Sequence, residues 1–271
     1  MRTIRGHTWG AIGKSLAAWL GLLLLAELTA AERLPPAAAP PEEAGAAPDA
    51  FAVRAERHFR EHRAAFIRQP TNVTVAWEFS RACFDWAEFA TNNPQRATIA
   101  QDGIQAARAA LTQDTNLAAA PYYLGLNLGQ LARVKRFSAL WIVDEMRDHF
   151  EAARRLDEQF DFAGPDRNLG LLYLQAPGWP VSIGDRARAR RHLEKAVALA
   201  PDYPENRLNL LEARLAWREK EALAEELEAL ADLLPRARTR LTGEAWAWSW
   251  LDWDRRWAEV QRRAARLLPR S

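Results

Sequence analysis

Two histidines and a glutamate stand in a spacing that could bind a metal ion and catalyse hydrolysis. They form the sequence His58-Phe59-Arg60-Glu61-His62, within a segment that reads as a polar helix over residues 51–69. In a helix, His58 and His62 are one turn apart and project from the same face. Two such histidines can hold zinc, and a glutamate beside them can act as general base.

This pattern resembles the H-x-x-E-H motif of the inverzincin peptidases. The resemblance implies a mixed α/β domain and a third zinc ligand, a glutamate about 75 residues further on. Residues 136–140 read Arg-Phe-Ser-Ala-Leu, and the nearest glutamate beyond them is Glu145. No strand pattern surrounds the motif. A solvated helix face that carries two histidines is therefore favoured, and a zinc peptidase that uses His58, Glu61 and His62 stays the least favoured alternative.

The rest of the chain offers no catalytic constellation and implies no cofactor. His149 and His192 lie in helical segments without a nearby nucleophile or ligand set, and there is no nucleophile elbow or dinucleotide fingerprint. Cys83 is the single cysteine and stands among aromatic residues, which predicts a small buried apolar side chain. The sequence therefore predicts a protein that is not an enzyme.

The N-terminal segment, residues 1–31, reads as a secretory signal peptide. A basic start precedes an apolar stretch over residues 15–26, which is too short to span a bilayer comfortably. Small residues at Thr29, Ala30 and Ala31 offer a cleavage site. Residues 32–50 form a Pro/Ala linker without large apolar side chains. The sequence predicts that the protein is exported to the periplasm. The alternative is that residues 1–31 stay uncleaved as a membrane anchor, which would then be the sole contact with the membrane.

Removal of the signal segment would make the mature chain electrically neutral. The segment contains three basic residues and one acidic residue. The 37 basic and 35 acidic residues of the whole chain therefore become 34 of each. A neutral chain has no global electrostatic attraction for phosphate backbones. The sequence therefore predicts no nucleic-acid partner.

A repeat of 34 residues organises the C-terminal half of the chain. Ala189, Leu193, Ala196 and Pro201 recur as Leu223, Leu227, Leu230 and Pro235 when 34 is added. This offset is the period of the tetratricopeptide repeat (TPR), in which stacked helical hairpins jointly bury their apolar faces. Each of the two prolines is expected to end a helix. The fold class is therefore predicted to be an all-α, TPR-like α-solenoid.

Four hairpins are predicted in a repeat domain over residues 51–240, at about 73–113, 119–160, 166–200 and 203–235. Leu124-Gly125 and Leu169-Gly170 match the first TPR helix, where glycine allows the partner helix to approach closely. The two middle hairpins are lengthened: the spacings Gly125–Met146 and Gly170–Ala189 are 21 and 19, against twelve in a standard unit, so about nine and seven residues are inserted.

The second insertion, Gln-Ala-Pro-Gly-Trp-Pro-Val-Ser-Ile-Gly-Asp, reads as a fixed loop. Its prolines flank Trp179, and Asp185 can cap the following helix. Insertions in repeat proteins collect on one face, which is often the binding face. Two interpretations stay open: Trp179 contacts a partner, or it only pins the loop to the stack.

This loop and the helix after it resemble the T-component (TatT-like) proteins of tripartite ATP-independent periplasmic (TRAP) transporters. The resemblance rests on Ala-Pro-Gly-Trp-Pro-Val-Ser-Ile-Gly-Asp and on the lengthened hairpins, and it covers roughly residues 73–235. It implies an exported all-α protein with a cleft or pore, whose partner is the transporter's periplasmic solute-binding protein. Family members are often lipoproteins, whereas this chain lacks the lipidated cysteine.

The last segment, residues 241–271, is predicted to be a capping helix. It contains five of the twelve tryptophans, and its apolar residues fall on one helical stripe. The stripe comprises Trp246, Trp250, Trp253, Trp257, Val260, Ala264 and Leu267. A TPR stack needs such a helix to cover its last apolar face. Trp248 lies off the stripe and is predicted to be an exposed contact residue.

Together these patterns predict an exported TPR scaffold that binds a periplasmic partner protein. The predicted site consists of Tyr122, Tyr123, Asn127 and Asn206 on the concave face, with Trp179 at its edge. An alternative is a carrier of a small amphipathic ligand in the space between the lengthened hairpins.

Overall fold

The computed structural model describes residues 48–135 and 139–268. The predicted signal peptide and nearly all of the linker lie outside these residues. The regular structure of the described residues consists of ten α-helices, with one isolated bridge between Gly178 and Gly184. The helices are α1 Pro48–Arg68, α2 Val73–Ala87, α3 Asn93–Gln113, α4 Ala119–Ala132, α5 Ala139–Leu156, α6 Phe160–Gln175, α7 Arg186–Leu199, α8 Pro204–Trp217, α9 Lys220–Arg240 and α10 Glu244–Leu267.

The helices pack as consecutive antiparallel hairpins, which confirms the predicted TPR-like α-solenoid. The four pairs are α2/α3, α4/α5, α6/α7 and α8/α9, and each pair also packs on the next. Side-chain caps fix several helix starts: Asn92 accepts a hydrogen bond from the Gln95 amide at 2.9 Å, and Asp185 accepts one from the Arg188 amide at 2.9 Å. The predicted cap at Asp185 is thereby confirmed.

Two glycines permit close contact between the helices of the middle hairpins, as predicted. A Cβ atom at Gly125 would lie 2.7 Å from the Phe150 ring, and one at Gly170 would lie 2.7 Å from Cγ of Leu193. Phe150 and Leu193 are themselves fully buried. The glycines therefore set the distance between the paired helices.

We expect Gly170→Ala to destabilise the protein by about 1–3 kcal/mol, because an added methyl group must displace a packed core residue. The added methyl carbon would also lie 3.1 Å from the backbone nitrogen of Leu193, so both this nitrogen and Cγ of Leu193 resist the displacement. Urea unfolding followed by circular dichroism measures the change. A variant as stable as the parent would contradict this packing. Alanine is also a better helix former than glycine, so any observed loss is due to packing.

Pro235 does not end its helix, so this prediction is wrong. Helix α9 continues through Pro235 to Arg240. A proline inside a helix removes one backbone hydrogen bond and costs about 3 kcal/mol. Leu233 and Ala237 lie on either side of it and are both buried, so packing on the core compensates for the lost bond. Pro201, by contrast, follows the last residues of α7 as predicted.

The C-terminal helix covers the end of the stack, as predicted. Trp246, Trp250 and Trp253 are buried against α8 and the apolar face of α9, together with Val260 and Ala264. Cys83 is also buried, as predicted, in a cluster with Phe79 and Ile99. Among the described residues, no helix has the length and apolar character needed to cross a lipid bilayer.

Candidate protein-interaction surface

Trp179 lies at the tip of the loop between α6 and α7, and its side chain is 89% exposed. The loop around it is tied to the stack by backbone hydrogen bonds. The Gly184 amide donates to the Pro177 carbonyl at 2.8 Å, and the Asp185 amide donates to the Tyr173 carbonyl at 3.0 Å. The tryptophan is therefore held outward by an ordered loop. It does not pin the loop to the stack.

Gly184 makes this loop conformation possible. A Cβ atom at that position would lie 2.1 Å from the carbonyl oxygen of Ala176 and 2.8 Å from that of Pro177. Both obstacles are backbone atoms, which cannot move without reshaping the loop. The two ends of the loop therefore pack backbone against backbone at Gly184, and this close approach fixes the direction of Trp179.

A second exposed tryptophan stands at the corresponding place in the preceding hairpin. Trp141, in the first turn of α5, is 82% exposed, and Leu140 beside it is also exposed. The connections α4–α5 and α6–α7 both join the first helix of a hairpin to the second, so in a stack of parallel hairpins they lie at the same edge. Val181, in the loop after Trp179, is exposed too. We call Leu140, Trp141, Trp179 and Val181 the loop edge.

Charged side chains stand near both connections. Arg188, at the start of α7, has a raised pKa because it bonds the Tyr173 hydroxyl. Arg147, on α5, pairs with Asp144 at 2.7 Å and Asp148 at 2.8 Å. Cations and carboxylates are therefore interspersed beside the loop edge, so no single sign of charge dominates it.

Four of the five residues predicted to face a partner are buried instead. Tyr122, Tyr123, Asn127 and Asn206 are each at most 6% exposed, so the prediction that they are presented on an open surface is wrong. Asn127 donates to the carbonyl and the hydroxyl of Ser80 at 2.9 and 3.1 Å, which ties α4 to α2. Buried amides need such partners, and this explains polar residues in the interior.

Asn206 and Tyr122 belong to a buried polar network around Arg167. Asn206 donates to the carbonyls of Phe162 and Ala196, both at 3.0 Å. Tyr122 donates to Asp161 at 2.5 Å, and Arg167 pairs with the same carboxylate at 2.8 Å. These side chains hold the hairpins together, and that structural role explains why they are in the sequence without any need for a partner protein.

The network holds a strained turn at the start of α6. Asp161, Phe162 and Ala163 have φ angles of 50°, 56° and 61°, in the left-handed region that side chains other than glycine rarely adopt. Arg167 donates to the carbonyls of Asp161 and Phe162, both at 3.1 Å. The guanidinium thus supplies the hydrogen bonds that these carbonyls cannot make within a regular helix.

The histidine pair lies on α1, beside α2. The rings of His58 and His62 are 6.4 Å apart, and their nearest carboxylates are Glu61 at 3.7 Å from His58 and Glu78 at 3.9 Å from His62. Within residues 48–135 and 139–268, no three His, Cys, Asp or Glu side chains converge as a metal site would require. The arrangement fits charged and polar residues between two helices.

The other two histidines of the described residues, His149 and His192, have structural partners. Nδ1 of His192 lies 2.7 Å from the buried carboxylate of Asp166, and its ring stacks on Tyr173 at 5.6 Å. His149 lies 3.7 Å from Glu145 on the same helix.

Trp248 is not an exposed contact residue, so this prediction is wrong. Its ring lies 4.9 Å from that of Phe51 on α1 and 5.1 Å from that of Phe89, which follows α2. The pattern of α10 alone could not reveal this contact, because the covering residues come from the opposite end of the described chain.

Two residues that matter in the structure are missing from the sequence-based predictions. Trp141 lies in a lengthened hairpin, and that position is a usable signal for an exposed contact. Arg167 gives no signal, because nothing local distinguishes a buried arginine from an exposed one.

Comparison with known proteins confirms the fold. No protein-family model matches the chain, and no curated protein matches it. The crystal structure of a thermophilic TPR protein from Thermus thermophilus is similar, with a TM-score of 0.56. The two chains are 15% identical over 79% of this chain and 94% of the other. At this identity the likeness shows the fold alone, a TPR-type solenoid.

Proposed function

We propose that this chain is a scaffold that binds a partner protein through the loop edge. The observation that carries the proposal is Trp179, which is 89% exposed on a loop ordered by its own backbone hydrogen bonds. Leaving a large aromatic side chain in water forgoes the hydrophobic stabilisation of burying it. A rigid loop makes such a residue an effective anchor, because little conformational entropy is lost on binding.

The composition of the loop edge fits a protein partner. Tryptophan is among the residues most enriched at binding hot spots, and apolar anchors surrounded by polar groups are typical of such sites. Trp141 and Trp179 supply two anchors from adjacent hairpins, and Leu140 and Val181 add apolar surface beside them. The mixed charges of Asp144, Arg147 and Arg188 would form the rim.

For the particular partner, we propose the solute-binding protein of a TRAP-type uptake system in the periplasm. The support is the resemblance of residues 176–185 to the loop of the T-component proteins, together with the signal-like pattern of residues 1–31. In this proposal the chain acts outside the cytoplasm and presents the loop edge to the binding protein.

A second candidate function is a carrier of a small amphipathic ligand. A cavity of about 370 Å³ lies where α6, α7 and the end of α9 meet, with Phe162, Leu199 and Leu241 among its apolar walls and Asp202 and Arg240 at its rim. Its volume falls within the range of small-molecule sites, about 300–1,000 Å³. It does not lie between the lengthened hairpins, where the sequence predicts the ligand.

Trp179→Ala tests the proposed anchor. We expect the melting temperature to stay within about 1 °C, because an exposed side chain contributes little to folding. We expect partner capture to fall at least tenfold, which corresponds to about 1.4 kcal/mol or more at a hot spot. The measurement is affinity capture by the full chain from its own cells, followed by quantitative mass spectrometry of bound proteins and extracted small molecules.

Leu251→Ala is the matched control, since Leu251 is an exposed apolar residue on α10, outside the loop edge. Equal capture by the parent, Trp179→Ala and Leu251→Ala would refute the role of the loop edge. A stoichiometric small molecule without a protein partner would support the carrier.

A further inference from the structure

Two arginines of α7 lie over a tryptophan at the end of α8. The guanidinium carbons of Arg186 and Arg190 are 5.3 and 5.1 Å from the ring centre of Trp217, the last residue of α8. Both guanidiniums also bond the carboxylate of Glu219, which follows in the turn before α9, with a distance of 2.6 Å for Arg186. We call Arg186, Arg190, Trp217 and Glu219 the arginine cluster.

The arginine cluster adjoins the loop that carries Trp179. Arg186 is the first residue of α7 and directly follows Asp185, whose amide ties that loop to α6. Ile183 of the loop and Trp217 both pack on the same group of buried core residues. The turn between α8 and α9 joins the two helices of a hairpin, so it lies at the same edge of the stack as the α6–α7 loop. The exposed loop and the arginine cluster are therefore neighbours.

The two arginines have hydrogen-bond donors left for a further anion. A guanidinium has five N–H donors, and each of these two bonds Glu219 through one nitrogen. The side chains of Arg186 and Arg190 are 55% and 39% exposed, whereas that of Glu219 is 18% exposed. The shared carboxylate thus lies on the inner side of the cluster, and two positive charges are matched there by one negative charge.

The arginine cluster is ordered by contacts within the chain. Stacking on Trp217 and the bonds to Glu219 hold both guanidiniums in place, so less conformational entropy is lost when they bind an anion. Arg191 on α7 and Arg218 between Trp217 and Glu219 are exposed as well. Charges are mixed along the loop edge as a whole, but cations are in excess where it meets the fourth hairpin.

We infer that the arginine cluster binds a carboxylate of the same partner protein that contacts the loop edge. The inference rests on the proposed function and adds the chemistry of the partner, which must present an acidic side chain beside the apolar surface that covers Trp179 and Val181. A planar carboxylate matches the fork of a guanidinium and can accept two parallel hydrogen bonds from Arg186. The apolar anchors supply affinity, and the charge pair fixes the orientation of the partner.

Photocrosslinking from position 181 in living cells locates the partner's surface beside the cluster. A photoreactive phenylalanine derivative replaces Val181, which is exposed and precedes Arg186 on the same loop, so that Trp179 stays in place. We expect one protein product, crosslinked at or directly beside an aspartate or glutamate. Arg186→Glu should lower the yield of this product about tenfold or more, because repulsion replaces attraction.

Arg155→Glu is the matched control, since it makes the same charge change at an exposed arginine of α5 outside the cluster. It should leave the yield unchanged. Arg186→Gln should cause a smaller loss, and it replaces Arg186→Glu if circular dichroism shows that the latter does not fold. Exchange of the identified carboxylate of the partner for lysine should restore the yield with Arg186→Glu, which a purely structural role of Arg186 would not allow.

The outcomes separate this inference from the proposed function. An undiminished product with both Arg186→Glu and Arg186→Gln would overturn the carboxylate contact and leave the loop edge as the binding surface. A crosslinked peptide with a phosphorylated residue in place of an acidic one would also overturn it. Absence of any protein product from positions 179 and 181 would overturn both the inference and the proposed function.

Discussion

Arg167→Met is expected to destabilise the protein more than any other single change considered, by about 3–5 kcal/mol. Arg167 is 3% exposed and pairs with Asp161, so its removal leaves a carboxylate without its cation in the interior. The carbonyls of Asp161 and Phe162 also lose the hydrogen bonds from Arg167, although Phe162 keeps the one from Asn206, so the strained left-handed turn loses support. Urea unfolding at neutral pH gives the free energy of unfolding.

Arg155→Met provides the control for this change, because Arg155 is an exposed arginine in the last turn of α5. Its free energy of unfolding should stay within about 0.5 kcal/mol of the parent. If Arg167→Met also stayed within about 1 kcal/mol, the network would be dispensable, and the left-handed turn would have to be stable without it.

Glu205→Gln is expected to stabilise the protein at alkaline pH. Burial raises the pKa of Glu205 to about 7 from a usual value near 4.5, although Arg167 and Arg256 oppose the rise. A raised pKa in the folded state favours folding below the unfolded pKa, and this contribution is lost as the pH rises from about 4.5 through 7. The loss amounts to about 3 kcal/mol at pH 8. A neutral glutamine avoids it.

The measurement compares the free energies of unfolding of parent and variant at pH 5 and pH 8. The two should be similar at pH 5, where Glu205 is protonated, and Glu205→Gln should be the more stable at pH 8. Asp85 also has a raised pKa, but it is common to both proteins and cancels in the difference. The control Glu228→Gln alters an exposed carboxylate of α9 and should have no effect. A variant less stable than the parent at pH 8 would show that the two arginines outweigh burial.

The hairpins could be predicted from the sequence because their signals are local. The Leu-Gly pairs and the capping residue Asp185 each act within one or two turns of helix, and the 34-residue offset relates one hairpin to the next along the chain. The structure confirms four hairpins and the close approach at Gly125 and Gly170. The prediction at Pro235 is wrong because buried neighbours on both sides outweigh the local preference of proline.

The site could be predicted only in part, because burial depends on distant segments. Asn127 reads as a polar residue on a helix, but its amide binds Ser80, which is 47 positions earlier. Trp248 lies off the stripe of its own helix, but α1 covers it from the other end of the described chain. The prolines on both sides of Trp179 mark it as part of an ordered loop, but they leave open whether it contacts a partner or pins the loop, and only the structure shows that it is exposed. The sequence pattern therefore predicts the positions of loops well, but it predicts poorly which helix faces are buried and which are exposed.

Site-specific photocrosslinking in living cells tests the central claim most directly. A photoreactive phenylalanine derivative replaces Trp179, Trp141 or, as a control, Leu251 in the full chain, and mass spectrometry identifies the crosslinked products. We predict that one and the same protein is crosslinked from positions 179 and 141 and not from 251. A solute-binding protein of a TRAP-type system would also support the specific partner. Absence of a protein crosslink from both tryptophan positions, or equal crosslinking from all three, would contradict a partner-binding loop edge.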